Sequence, residues 1–425
     1  MRTVGVEEEY LLVDPVDGRA RAEAPRVLRA LPPATGESEL QREQVETGSA
    51  PHTRLDALRE DLLSRRRALA AAAADPRAGT EPGAEPGTEP GAEPGAEPGT
   101  GGAGGAAGAA GARARGALLV ALGTHPLGGV PTLSPGSRYE RLSERFGLLA
   151  REQLTCGCHV HVGVADRDEG AAVLDRVRPW APVLLALSGN SPYWQGVDTG
   201  HASYRSRVWD RWPTAGPSAA VGDAAGYDAL VRRVLSTGVP MDLGMIYFDV
   251  RLSARYPTVE VRVADVCLRV DDAVLLAGLV RALADTAVAD HRAGRPVPEA
   301  PVEVLRLAAW RASCDGLDGD LVHPLTGSPR PAAQVVADLL EHVAPALART
   351  GDEEAVRAGA AAVLRRGTGA RWQRAAVADG GVPAMLARAA RLTLDLPGDG
   401  PDDGPDDGPA GGARAGAGAG GDEGL

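Results

Sequence analysis

Alternation of apolar and polar residues is the clearest signal in this chain, and it falls in short segments. Successive side chains of a strand point to opposite faces, so a period of two marks a half-buried strand. Gly5-Val-Glu-Glu-Glu-Tyr10 puts Glu7 and Glu9 on one face and Val6, Glu8 and Tyr10 on the other. In Cys158-His-Val-His-Val-Gly163, His159 and His161 share a face, with Val160 and Val162 behind. Thr258-Val-Glu-Val-Arg-Val263 sets Glu260 and Arg262 against three valines. Tyr247-Phe-Asp-Val-Arg251 sets Asp249 and Arg251 against Phe248 and Val250. Strands are predicted over 3–13, 117–122, 158–164, 245–252 and 258–263. Helical spacing takes over at 54–74, with leucines at 55, 58, 62 and 69 and arginines between. Further helices are predicted at 168–187, interrupted by Pro179 and Pro182, at 271–293, and in pieces from 302 to 394. Strands come early and helices late without βαβ alternation, which predicts an α+β fold around a mainly antiparallel sheet.

Composition narrows the chemistry. The 425 residues are 44% hydrophobic and 24% charged, a globular balance. All 45 basic residues are arginines. A P-loop and a pyridoxal phosphate Schiff base both need lysine and are excluded. Any bound phosphate must be held by arginine, metal or backbone. From Glu81 the chain runs through EPGA and EPGT repeats into a Gly/Ala tract, and from Pro397 it turns to Gly, Pro and Asp. Neither stretch can bury enough apolar surface to offset chain entropy. The expectation is one catalytic domain over 1–396, interrupted by a disordered insertion at 76–115 and followed by a disordered acidic tail at 397–425. Residues 81–100 contribute −5 and residues 397–425 −6 to the net charge of −12, so the rest is close to neutral. No basic patch for nucleic acid follows. No signal-peptide plan and no membrane-length apolar run is present, so a cytoplasmic, soluble chain is expected. Four cysteines do not make a disulfide framework.

The polar strand faces carry metal-ligand types at i, i+2 spacing. A solvated charged face is the alternative for any one strand, but it weakens when four strands repeat the pattern. Paired carboxylates at 4 Å repel by roughly 4 kcal/mol at an effective dielectric near 20. Such a cluster needs protons, arginines or divalent cations. Hard oxygens suit Mg²⁺ or Mn²⁺, and Mg²⁺ commonly bridges carboxylates to nucleotide phosphates. Cys156-Gly-Cys-His-Val-His161 suggests zinc, yet parity turns Cys156 and Cys158 away from His159 and His161. The cysteines read better as small core residues. Glu39-Leu-Gln-Arg-Glu-Gln-Val-Glu46 is open to two readings, a surface helix or a strand aligning Gln44 with Glu46. In the long segment 190–213, Arg205, Arg207 and Arg211 alternate with Tyr204, Trp209 and Trp212, which suits a carboxylate or nucleotide ligand. His125 in Gly123-Thr-His-Pro126 reads as a turn residue.

Taken in order, TVGVEEEYLLVDP, ELQREQVET, GTHP, CGCHVHVGV, NSPYWQG, DTGHASYRSRVW, RWPTAGP and PTVEVRVADV resemble the glutamate–cysteine ligase type 2 family of ATP-dependent carboxylate–amine ligases. The resemblance runs from residue 3 to 270, skipping 76–115, with a weaker helical continuation to about 394. It implies a glutamine-synthetase-like fold, a curved antiparallel sheet with one polar catalytic face and helices packed outside. It also implies ATP with Mg²⁺, or Mn²⁺, on that face. Glu7 and Glu9 resemble the family's first metal pair, Glu46 another metal carboxylate and Glu39 a weaker one. His159 resembles a metal-side or ATP-side histidine, and His161 a residue facing substrate. Glu260 resembles a catalytic metal ligand, Arg262 a phosphate or acyl-phosphate contact, and Arg205 the holder of a substrate carboxylate. The implied reaction activates a carboxylate as an acyl phosphate and joins it to an amino-acid amine, giving ADP and phosphate. Partners are then small molecules, amino acids and ATP, with no nucleic acid or membrane, and no pattern reveals the oligomeric state. The rival classes are a metal-dependent phosphotransferase or hydrolase on the same sheet, and a non-catalytic nucleotide-binding protein.

Overall fold

The structure, a computed structural model, describes residues 1–77 and 116–396. The predicted insertion beyond residue 77 and the whole predicted tail lie outside the described residues. Seven strands build one sheet: β1 (Val4–Val13), β2 (Glu37–Ser38), β3 (Gln44–Gly48), β4 (Leu118–Val120), β5 (Gly157–Gly163), β6 (Val250–Leu252) and β7 (Thr258–Asp265). Their order is β2-β3-β1-β5-β7-β6, with β4 pairing the far end of β1, and every pairing is antiparallel.

The strongly curved sheet implied by the resemblance is not what forms. The sheet is open, ending at β2 and β6, and is neither closed into a barrel nor strongly curled. Strong curl needs repeated bulges or glycine kinks. Among the described residues the sheet's pairings contain one register shift, where Arg262 and Val263 of β7 lie across from His159 alone.

One more expectation changes, and one open reading resolves. Only residues 250–252 of the 245–252 prediction pair as a strand, because Leu243–Met245 forms a 3-10 turn instead. Residues 39–46 form no helix: residues 39–43 turn the chain from β2 into β3, and Glu46 pairs with both Glu37 and Glu9. The 168–187 helix divides into Arg167–Val177 and Ala181–Ser188 around a 3-10 turn at Arg178–Trp180, which contains Pro179.

One face of the sheet is apolar. Val4, Val6, Val160, Val162, Val259 and Val261 are buried against helices Leu55–Ala74, Arg167–Val177 and Val270–Arg292. Each such side chain contributes about 1.5–3 kcal/mol by leaving water. The Val270–Arg292 helix is buried on most sides, and its Arg281 is neutralised by Asp352 at 2.5 Å. Among the described residues no helix is long and apolar enough to cross a membrane.

Glu8 points into this apolar layer and is fully buried. Arg66 from the Leu55–Ala74 helix pairs with its carboxylate, and Tyr10 Oη donates to Glu8 Oε2 at 2.5 Å. The Arg66 guanidinium also donates to the carbonyls of Cys267 (3.0 Å), Leu268 (3.3 Å) and Thr393 (3.2 Å). This network anchors β1 from below, so its other two glutamates project from the opposite face.

Candidate active site

A cleft of about 1300 Å³ lies over the polar face of the sheet. Register places its side chains in facing pairs. Glu37 lies opposite Glu46, Glu46 opposite Glu9, Glu7 opposite His159, His161 opposite Glu260, and Glu260 opposite Arg251. Like charges directly opposite on a sheet are destabilising, so the acidic half costs stability unless something neutralises it.

Three overlapping groups offer ligand atoms within 4.8 Å of one another: Glu9, Glu39 and Glu46; Glu7, Glu46 and His159; Glu7, His161 and Glu260. Glu7 Oε1 lies 3.3 Å from His161 Nε2, and Glu7 Oε2 lies 3.5 Å from His159 Nδ1. Neither His159 Nε2 nor His161 Nε2 has an aligned hydrogen-bond partner among the described residues. The donor set of carboxylate oxygens and unsatisfied imidazole nitrogens fits divalent cations.

Electrostatics divides the cleft. Burial raises the Glu46 carboxyl well above the usual range, and the neighbouring Glu39 adds to it. Burial likewise raises Glu39, with Glu9 adding repulsion. Burial also raises Glu9, against opposing help from Arg205 and the Gly157 amide, which donates to Glu9 Oε2 at 2.6 Å. These raised carboxyls favour the protonated form in the absence of cations, so metal binding there is linked to proton release. At the other half, burial would raise Glu7 and Glu260 too, but it is outweighed. His159 and His161 hold Glu7 well below the usual range, and Arg262 and Arg251 do the same for Glu260. Burial, then the Arg262 charge, pushes His159 down to about 4, leaving a neutral imidazole able to ligate at pH 7.

Glu260 is 1% exposed and held by two arginines. Arg251 grips it with two of its three guanidinium nitrogens, Nε to Oε2 at 2.7 Å and Nη2 to Oε1 at 3.0 Å. Arg262 pairs with Oε1 from the register shift in β7. Bulged residues are commonly re-aimed beside functional sites. Arg262 also lies beside the Trp209 ring, 6.0 Å from its centroid.

Of the sequence-predicted residues, Glu7, Glu9, Glu39, Glu46, His159, His161, Glu260 and Arg262 all line the cleft. Arg205 does not. It is 2% exposed, sits 5.8 Å from the Trp209 ring centroid, and lines a small adjoining cavity with Asp210, Asp249 and Arg306, which shares Trp209, Tyr247 and Arg262 with the cleft. Burial raises the carboxyls of Glu9 and Asp265, and the Arg205 charge offsets part of that rise. His125 is buried between the carbonyls of Gly18 and Gly128, away from the cleft. No ligand group among the described residues contains a cysteine, in keeping with the parity argument against zinc.

Sequence reasoning missed Arg138 and Tyr139, which close one side of the cleft. Arg138 pairs with Asp242 at 3.0 Å, and Tyr139 Oη donates to the Ser38 carbonyl at 3.0 Å. No periodicity marks them. Arg66 was also missed, although a glutamate on an apolar strand face demands a buried counter-charge.

The family described as glutamate-cysteine ligase family 2 matches residues 102–388. A Frankia alni protein provisionally named glutamate–cysteine ligase 2-2 is 48% identical over 395 residues, covering 89% of this chain and 93% of that protein. A provisionally named glutamate–cysteine ligase 2 of Streptomyces coelicolor is 46% identical over 379 residues, covering 88% and 94%. The crystal structure of a Francisella tularensis glutamate–cysteine ligase in complex with AMP aligns with a TM-score of 0.60 at 12% identity, covering 93% of this chain and 88% of that one. At that identity it shows a shared fold.

Proposed function

The chain belongs to glutamate–cysteine ligase family 2 and is an ATP-dependent carboxylate–amine ligase, and we propose that it activates the γ-carboxylate of glutamate and joins it to an amino-acid amine, with cysteine the first to try. The observation that carries this reading is the continuity of the three ligand groups. Glu7 belongs to two of them and Glu46 to two. One cleft thus offers adjoining seats for cations that a triphosphate and a carboxylate can share.

In the proposed reaction a carboxylate oxygen attacks the γ-phosphorus and ADP leaves. The amine then attacks the acyl carbon, and phosphate departs with that oxygen. Mg²⁺ or Mn²⁺ held by Glu7, Glu9, Glu39, Glu46, His159 and Glu260 would neutralise the polyphosphate. Arg262 offers fixed positive charge to the moving phosphoryl, a role no lysine can fill in this chain. Glu260 keeps Arg262 and Arg251 aligned before substrate arrives, so little reorganisation is needed. His161, hydrogen-bonded through Nδ1 with Thr258 Oγ1 at 3.0 Å, presents Nε2 to the cleft. Arg205, whose charge acts on Glu9 at the edge of the cleft, is the proposed holder of a substrate carboxylate. The soluble setting expected from sequence suits these small substrates.

Purified protein incubated with Mg-ATP, glutamate and hydroxylamine tests the reading. Hydroxamate that requires both ATP and glutamate is expected. ADP release with another acid, and none with glutamate, would reject glutamate and keep the ligase class.

A further inference from the structure

The helix Val302–Asp315 contributes no residue to the cleft. Its inner side is buried: Leu305, Ala308, Ala312 and Ser313 face a core shared with the Ala181–Ser188 helix and the Asp320–Val322 strand. At about 100° per residue, the opposite side carries Glu303, Val304, Leu307, Trp310 and Arg311. Val304 is 38% exposed, Trp310 55% and Leu307 68%. A surface helix ordinarily keeps that side polar. The Trp310 ring meets His201 edge-on, at 6.4 Å and 85°. His201 in turn meets Tyr204 at 5.6 Å, and Tyr204 meets Trp194 at 5.9 Å. The patch thus continues from the helix onto the hairpin of Tyr193–Trp194 and Val197–Asp198, where Val197 is 60% exposed. Contiguous exposed apolar surface of this kind marks a protein–protein contact.

The charges at the two ends of the stripe identify the partner. Glu303 stands four residues before Leu307, and Arg311 four residues after it. Neither has an ion-pair partner among the described residues. A second copy related by a two-fold axis through Leu307 runs the same helix antiparallel. That operation sets Glu303 against the partner's Arg311, Val304 against the partner's Trp310, and Leu307 against the partner's Leu307. A parallel copy would set Glu303 against the partner's Glu303, and like charges face to face cost affinity. The stripe is therefore its own complement in one direction only.

We propose that the outer face of the Val302–Asp315 helix is the interface of a two-fold dimer of this chain, the helices packing antiparallel about Leu307 with reciprocal Glu303–Arg311 pairs at the ends. A stable dimer buries about 800 Å² per partner, which takes in the hairpin as well as the helix. The same helix supplies Arg306 and Ala309 to the small cavity beside Arg205, so pairing also steadies one wall of that cavity. None of the stripe residues lines the cleft, so the interface stands or falls apart from the ligase reading.

Sedimentation velocity on the full chain at micromolar concentration tests it. A species of twice the chain mass is expected. Leu307→Asp places two carboxylates at the axis and is expected to weaken the dimer by about 100-fold or more. Glu303→Arg sets arginines against each other at both ends and is expected to weaken it by about 10-fold. Adding Arg311→Glu to Glu303→Arg exchanges the two charges and is expected to restore pairing. Circular dichroism matching the unaltered chain checks that each variant is folded. A monomeric unaltered chain would overturn the interface, as would a dimer that Leu307→Asp leaves intact. A double variant that pairs no better than Glu303→Arg alone would overturn the antiparallel arrangement.

Discussion

At the residue scale the cleft is governed by which acids keep a permanent counter-charge. Glu260 keeps two arginines, whereas Glu7 lies beside two imidazole rings, at 3.3 and 3.5 Å, of which that of His159 is neutral at pH 7. Glu9, Glu39 and Glu46 face mainly one another. Glu260→Gln removes the charge that aligns Arg262 and one ligand of its group. Turnover is expected to fall by about 10²–10³-fold, with a raised Mg²⁺ requirement. Near-normal rates at low Mg²⁺ would reject the assignment. Asp249 supplies a pH test away from the ligands. Burial, with repulsion from Asp210, pushes its carboxyl up to about 7. The folded chain then holds a proton that the unfolded chain has released above about pH 4. Stability from this group is therefore complete below about pH 4 and lost as pH rises through 7. Asp249→Asn is expected to match the parent near pH 4 and exceed it near pH 8, by on the order of 1–4 kcal/mol. Urea midpoints at the two pH values check this, and a gap that does not widen with pH would refute it.

At the element scale β5 does the most positioning. It places His159 and His161 on the cleft, buries Val160 and Val162 behind, and begins at Gly157, whose amide serves Glu9. A Cβ on Gly157 would lie 2.2 Å from Arg205 Nη2 and 3.0 Å from His159 Nε2. Both neighbours are buried, so the space cannot be found by rotation into solvent. Gly157→Ala is expected to cost about 1–3 kcal/mol by overpacking and to depress turnover more than its thermal shift explains. Unchanged kinetics with an unchanged melting temperature would show that Arg205 and His159 can yield. The period-two reading found β1, β5 and β7 because half-buried strands write their faces into the sequence. It left 39–46 open, and the strand alternative forms over 44–46; it failed for 245–249, a short segment ordered by neighbours rather than by its own pattern.

At the scale of the whole molecule, the apolar layer behind the sheet supports the polar cleft in front of it. Residues on either side of the predicted insertion meet, since the Ala117 amide donates to the Ala73 carbonyl at 2.8 Å. A short link can therefore join them. Deleting residues 79–112 is expected to leave the ligase rate and melting temperature within about twofold and a few degrees of the parent, because loop length enters stability only logarithmically. A folded deletion protein without activity would show that the segment has a catalytic role.

Much of the candidate site was legible in the sequence. A strand's alternation assigns its side chains to a face, and Glu7, Glu9, His159, His161, Glu260 and Arg262 needed nothing more to be grouped. The absence of lysine already confined phosphate contacts to arginine, metal and backbone. What the sequence could not contain was the pairing between strands. Register decides that Glu9 faces Glu46 and that Glu260 faces both His161 and Arg251, and register is set by long-range hydrogen bonds and by the buried face. The open rather than curled sheet and the burial of Arg205 beneath Trp209 belong to the same class. Each depends on how distant segments pack, which local periodicity does not encode.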